Sequence, residues 1–322
     1  MWPLIKTLPV KTNFRFVAFS RFAAVISILA VSASLFMTLY PLKPPCGGLN
    51  CGIDFKGGTI LELSTAPRAV DVAQVREVIN GLDMGDVQVT TIGAPAESKV
   101  MARFQTPEGS NAAQTVDRVK QALRASLGEV RFERTDVVGP KVSGELFRNG
   151  ILALGLAIGL MLLYIWFRFE LQFGLGAVIA LFHDVILTFG LIASFRLEFS
   201  LTTIAAILTI IGYSMNDTVV VFDRLRENLR KYKRMPLGEV IDLSINETLS
   251  RTVITGLTAI LALGGLAVFG GASLFAFSLI MMFGIVIGTY SSIYVAAPVI
   301  LLWGVKRGEE EAEPLKPANA RR

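Results

Sequence analysis

Charge is scarce in this sequence. Asp, Glu, Lys and Arg make up 18% of its 322 residues, against 52% hydrophobic ones, and the mean hydropathy is +0.57. That balance excludes an ordinary soluble chain and points to a membrane protein. Histidine is nearly absent: His183 is the only one. Cysteine is limited to Cys46 and Cys51, and no His or third Cys lies near them, so a zinc site lacks ligands. A basic stripe with interleaved aromatics is also missing, so the net charge of +5 does not imply DNA or RNA. Nucleophile elbow, dinucleotide fingerprint and Walker spacing are all absent, and KGGT at 56–59 reads as a turn before a strand. An enzyme is not expected, nor a bound cofactor.

What is present is a series of long uncharged runs. Phe22 to Tyr40 and Asn149 to Phe167 carry no charge, and Leu171 to Phe195 is interrupted only by His183 and Asp184. Phe199 to Phe222 contains a single acid, Asp217. Thr252 to Val305 has no charge at all, about 80 Å of helix at ~1.5 Å per residue, more than one crossing. Gly270-Gly271, with Ser273 after it, is the natural break. Six transmembrane helices are therefore expected, near 22–41, 147–167, 171–195, 199–222, 252–270 and 273–305. The first reads as an uncleaved anchor, because its apolar core exceeds the roughly 7–15 residues of a signal-peptide core.

Lys and Arg give the orientation. Lys6, Lys11, Arg15 and Arg21 precede the first run, six basic residues between Arg224 and Arg234 follow the fourth, and Lys306 and Arg307 follow the last. With six spans these lie on one side, which the positive-inside rule makes cytoplasmic. Residues 1–21 are then a cytoplasmic N-terminus, and the polar tail 306–322 a cytoplasmic segment expected to be disordered. Residues 42–146 lie outside and are long enough to fold alone. TILELST (59–65), VQVTTIG (87–93), KVMARFQ (99–105) and VRFERTDVV (130–138) alternate as strands. VDVAQVREVINGL (70–82) and NAAQTVDRVKQALRASLG (111–128) follow the helical period. The order βαββαβ is that of a ferredoxin-like α+β domain. Cys46 and Cys51 open this segment, where a disulfide or two free thiols are both compatible with the spacing.

Ionisable residues at membrane depth are costly and call for a reason. His183, Asp184 and Asp217 are at depth; Asp223 and Arg251 sit at the cytoplasmic border. Asp217 and Arg251 lie on helices expected to be antiparallel and could meet. An acid that alternates between a guanidinium and apolar surroundings can take up and release a proton. A static ion pair that locks packing is the alternative. Asp223 points away from the Ser214–Asp217–Val221 face and is expected to be solvated beside Arg224 and Arg226. His183 could relay protons or bond a neighbouring helix. GLAIG (155–159) and GIVIG (284–288) are small-residue patterns that let helices approach closely.

Six segments in order carry a resemblance: IDFKGGT (53–59), VGPKVSGEL (138–146), ALFHDVILTFG (180–190), IGYSMNDTVVVFDRLREN (211–228), NETLSRTVITG (246–256) and IGTYSSIYVA (287–296). They are similar to motifs of the bacterial SecD/SecF export family, SecF above all, within the RND-type superfamily. The resemblance implies an all-α six-helix bundle, half of an RND-type transporter, with a periplasmic ferredoxin-like domain after the first helix. It implies an inner-membrane protein that pairs with SecD and works with SecYEG, often with YajC. Together they use the proton-motive force to draw a translocating polypeptide outward, in contact with membrane lipid and without nucleic acid. The family's proton-path acid matches Asp217 and its arginine Arg251; Asn216 lies in the same motif. Rival readings are a small-molecule or ion transporter subunit, and a non-transporting scaffold of a channel. CGGLNC and the tail depart from the family pattern.

Overall fold

The computed structural model describes residues 12–41, 46–85, 87–92, 98–105 and 112–305. Lys6, Lys11, Lys306, Arg307 and the expected disorder of 306–322 fall outside these residues. Among the described residues, six helices are long and apolar enough to cross a membrane. They are α1 (Phe16–Leu39), α5 (Pro140–Arg168), α6 (Leu171–Ser194), α7 (Leu201–Lys231), α8 (Leu237–Phe269) and a last span. That span is α9 (Gly271–Ser291), a π-helical turn (Ser292–Ala296) and α10 (Ala297–Trp303).

Several helices run past the expected hydrocarbon limits. α7 continues to Lys231 instead of ending at Phe222, and α8 starts at Leu237 instead of Thr252. A membrane sets where apolar residues stop; it does not stop a helix. Outside the apolar runs the α7–α8 hairpin is held by polar contacts between its arms. Arg224 Nε donates to Glu247 Oε2 at 2.7 Å, and Asn228 Nδ2 to Ser244 Oγ at 3.0 Å. α8 begins directly after Pro236, which has no N–H to leave unpaired.

Between α1 and α5 the chain forms β1 (Asn50–Cys51), α2 (Ile53–Lys56), β2 (Gly58–Ser64), α3 (Val72–Asn80), β3 (Gln88–Ile92), β4 (Lys99–Phe104), α4 (Ala112–Leu127) and β5 (Arg131–Val138). Strands β2 to β5 make an antiparallel sheet in the order β3-β4-β2-β5, the ferredoxin-like arrangement. Asp71 caps α3 by accepting from Ala73 N at 2.8 Å, and Gly128, at φ +79°, ends α4. Alternation puts Leu61, Leu63, Val100, Ala102 and Phe104 on one face against Val75, Ile79, Val119 and Leu123 of the two helices.

The membrane bundle has a separate core, concentrated in α6 and α7; α1 and α8 bury far less of their surface. Residues before Gly58 side with this second core. Cys51 and Phe55 pack there, although the sequence placed them in the outer domain. Two-residue β1 pairs in parallel with β6 (Glu198–Phe199), in the connection between α6 and α7. Gly57 and Gly58 join the two regions at φ +73° and +121°, and a Cβ on Gly58 would stand 2.8 Å from the Phe104 carbonyl oxygen. Only glycine fits that step.

Candidate functional site

The polar residues at depth gather where α7 meets α6, α8 and α9. Glycines make the approach close: a Cβ on Gly284 would lie 2.3 Å from Ile210, and one on Gly288 2.9 Å from Ser214. GIVIG is therefore a contact surface inside the chain. GLAIG is not, since nothing lies within 4 Å of a Cβ on Gly155 or Gly159.

Asp184 is 1% exposed and His183 5%. His183 Nδ1 bonds Asp184 Oδ1 at 2.9 Å. Asp184 Oδ2 accepts from Ser214 Oγ of α7 and from Ser291 Oγ of α9, the latter at 2.7 Å. His183 Nε2 reaches Ser27 Oγ of α1 at 3.2 Å, and the Tyr290 ring stacks on the imidazole with centroids 5.9 Å apart. Tyr290 Oη lies 2.9 Å from Ser27 Oγ and donates to the Ala23 carbonyl. The carboxylate thus ties three helices together and its histidine neighbour adds α1, and both carboxylate oxygens are satisfied. The sequence marked His183 and Asp184 but not Ser27, Ser214 and Ser291 as their partners; hydroxyls on three other helices give no sequence signal of which carboxylate they will face.

Asp217 stands one turn beyond Ser214 on α7 and is 9% exposed. Its Oδ1 accepts from Thr252 Oγ1 at 2.5 Å. Its Oδ2 is buried with no hydrogen-bond partner. The expected ion pair with Arg251 is not formed. Consecutive helical residues are ~100° apart, so α8 turns Thr252 toward α7 and leaves Arg251 exposed. Asp217, Arg251, Thr252 and Asn216 nevertheless line one cavity of about 20 Å³, room for about one water molecule. Thr218 Oγ1 lies 3.0 Å from Ser292 Oγ, which places the π-helical turn against the same face of α7.

Asp223 is exposed, as expected of a border residue, but its ion-pair partner differs from the one expected. It does not rest with Arg224 and Arg226: Arg168 Nη2 of α5 donates to both its oxygens, at 2.6 and 2.7 Å. Arg224 goes to Glu227 and Glu247 instead, and Arg226 to Glu170 at 3.7 Å. Cys46 and Cys51 are joined by a disulfide, with Cα atoms 6.0 Å apart. No three His, Cys, Asp or Glu side chains converge as a metal site among the described residues.

Residues 118–306 match the family model described as protein export membrane protein SecD/SecF, C-terminal, and residues 48–67 match the SecD/SecF GG motif. The chain is 45% identical over 312 residues to a protein translocase subunit SecF of Cereibacter sphaeroides, covering 94% of each. It is 44% identical to that of Rhodobacter capsulatus, covering 96% of this chain and 95% of the relative. A crystal structure of SecDF, a translocon-associated membrane protein from Thermus thermophilus, superposes with a TM-score of 0.79 at 34% identity. That match covers 94% of this chain but only 39% of the longer one.

Proposed function

Because the chain belongs to the SecD/SecF family of protein-export membrane proteins, we propose that it couples proton movement to protein export. In this reading it sits in a bacterial inner membrane with both termini cytoplasmic and residues 42–146 periplasmic. It pairs with SecD, acts with SecYEG and in some assemblies with YajC, and uses the proton-motive force in late steps of export. The translocating polypeptide is the substrate. Protons are the only coupling species, and no enzymatic step or cofactor is invoked.

The observation that carries this reading is the half-satisfied Asp217 carboxyl. Its Oδ1 is held by Thr252 while its buried Oδ2 has no partner. A carboxyl left in that state can accept a proton on the free oxygen without breaking the bond it already makes. Asp184, bonded on both oxygens, has no such freedom. Arg251 supplies the second element. It lines the same cavity yet is exposed on this chain, so a neighbouring subunit that covers it can bring the guanidinium toward Asp217 or draw it away. One charge moved through 100 mV is worth about 2.3 kcal/mol, enough to bias a movement of packed helices.

Asp217→Asn keeps the Thr252 bond and removes the titration. It should insert and assemble normally and lose the proton-dependent stimulation of export measured in inverted membrane vesicles. Full stimulation in that variant overturns the reading.

A further inference from the structure

The carboxylate of Asp54 lies far from Asp217, but it touches the same helix. Leu201 N, the first N–H of α7, donates to Asp54 Oδ2 at 2.9 Å across 147 residues of sequence. The opening N–H groups of a helix have no partner within it, and a negative charge there is favoured by the helix dipole. Ser200 Oγ accepts from Thr203 N at 3.4 Å, so the membrane loop caps one position of α7 and the outer segment caps another.

The contacts around Asp54 make this more than a cap. β1 and β6 pair in parallel, Asn50 with Glu198 and Cys51 with Phe199, and Gly52 N donates to the Phe199 carbonyl at 2.8 Å. The Phe55 ring packs on Phe199 and on Phe147 of α5, at 5.2 and 5.4 Å between centroids. Glu198 takes Arg103 of β4 as its ion-pair partner, so the sheet grips the same connection from its own side. The disulfide anchors Cys51 on one flank of Asp54. On the other flank lie Lys56, then Gly57, which ends α2, and Gly58, which opens β2, a central strand of the sheet. From Leu201 to Asp217 α7 is continuous helix, about 24 Å of it.

We propose that Asp54 is a positioning residue that carries displacement of α7 to the outer domain. The inference rests on the proton-coupling reading of Asp217 for its cause, but the link itself is mechanical. A shift of α7 along or about its axis moves the Leu201 N–H, and Asp54 transfers that shift through α2 and Gly57-Gly58 to β2.

The test uses the full chain assembled with its partner subunits in membrane vesicles. Asp54→Ala removes the acceptor; Asp54→Asn retains an oxygen that can accept from Leu201 N. Asp54→Ala should leave gradient-driven proton uptake largely unchanged while the stimulation of export falls several-fold, and Asp54→Asn should behave close to the parent. A second readout is independent of protons. Spin labels at Arg118→Cys of α4 and Arg230→Cys of α7, both exposed, should give a narrow distance distribution that broadens with Asp54→Ala and not with Asp54→Asn. Unchanged stimulation in Asp54→Ala, a parallel loss of proton uptake and stimulation, or an unbroadened distribution each overturns the proposal. Asp217→Asn, measured alongside, judges the proton reading separately, because the distance measurement tests the link whatever that variant does.

Discussion

Asp184 bonds Ser214, one turn of α7 before Asp217, and the two acids differ in what surrounds them. Asp184 is bonded by a histidine and two serines; Asp217 is bonded by one threonine on one oxygen, with Ser292 close by. The first arrangement binds helices together, and the second leaves an oxygen free to change state. This division gives a prediction at the same scale. Ser291→Ala removes one of three bonds to Asp184 and should lower stability by about 0.6 kcal/mol and by no more than about 1.7, the mean and the maximum for interhelical hydrogen bonds in membranes. Thermal unfolding of the detergent-purified chain checks it, with proton-dependent export expected to persist. The sequence made Asp217 legible, because a lone acid in an apolar run stands out. It did not make its partner legible. Arg251 was the obvious charge, but one step of helical phase gives the inward place to Thr252, a residue of ordinary appearance.

Secondary-structure elements tell a similar story about what local pattern can carry. The alternating and helical periods of the outer domain name its strands and helices, because each period reflects one buried face. The ends of α7 and α8 were less readable. Asp223–Lys231 and Leu237–Arg251 are too polar to be membrane-buried, yet they stay helical because each arm supplies the other's partners. The two small-residue patterns also look alike in sequence and differ in place. Gly284→Ala puts a methyl against Ile210 of α7 and should destabilise the bundle by about 1–3 kcal/mol, as overpacking does. Gly159→Ala meets nothing within 4 Å and should leave the isolated chain's melting temperature unchanged or slightly higher, since alanine favours helix. A thermal-shift comparison of the two variants decides this.

At the scale of the whole molecule, two cores meet at Gly57-Gly58. Local pattern could not locate that frontier, because residues 46–56 pack on partners near 147 and 198–204, far along the chain. The consequence is that the outer unit stands on more than its two chain connections to α1 and α5: a strip of its own leading segment is set into the α6–α7 connection, and Arg103 of the sheet holds Glu198 there. Cutting it free at different points therefore yields different molecules. A fragment of residues 58–138 contains the complete sheet-and-helix core and should be soluble and monomeric by size-exclusion chromatography. One of residues 46–138 carries Cys51 and Phe55 away from their seat, and should self-associate and bind a hydrophobic dye. Whoever excises this unit at the end of the first membrane helix takes part of the membrane bundle along with it.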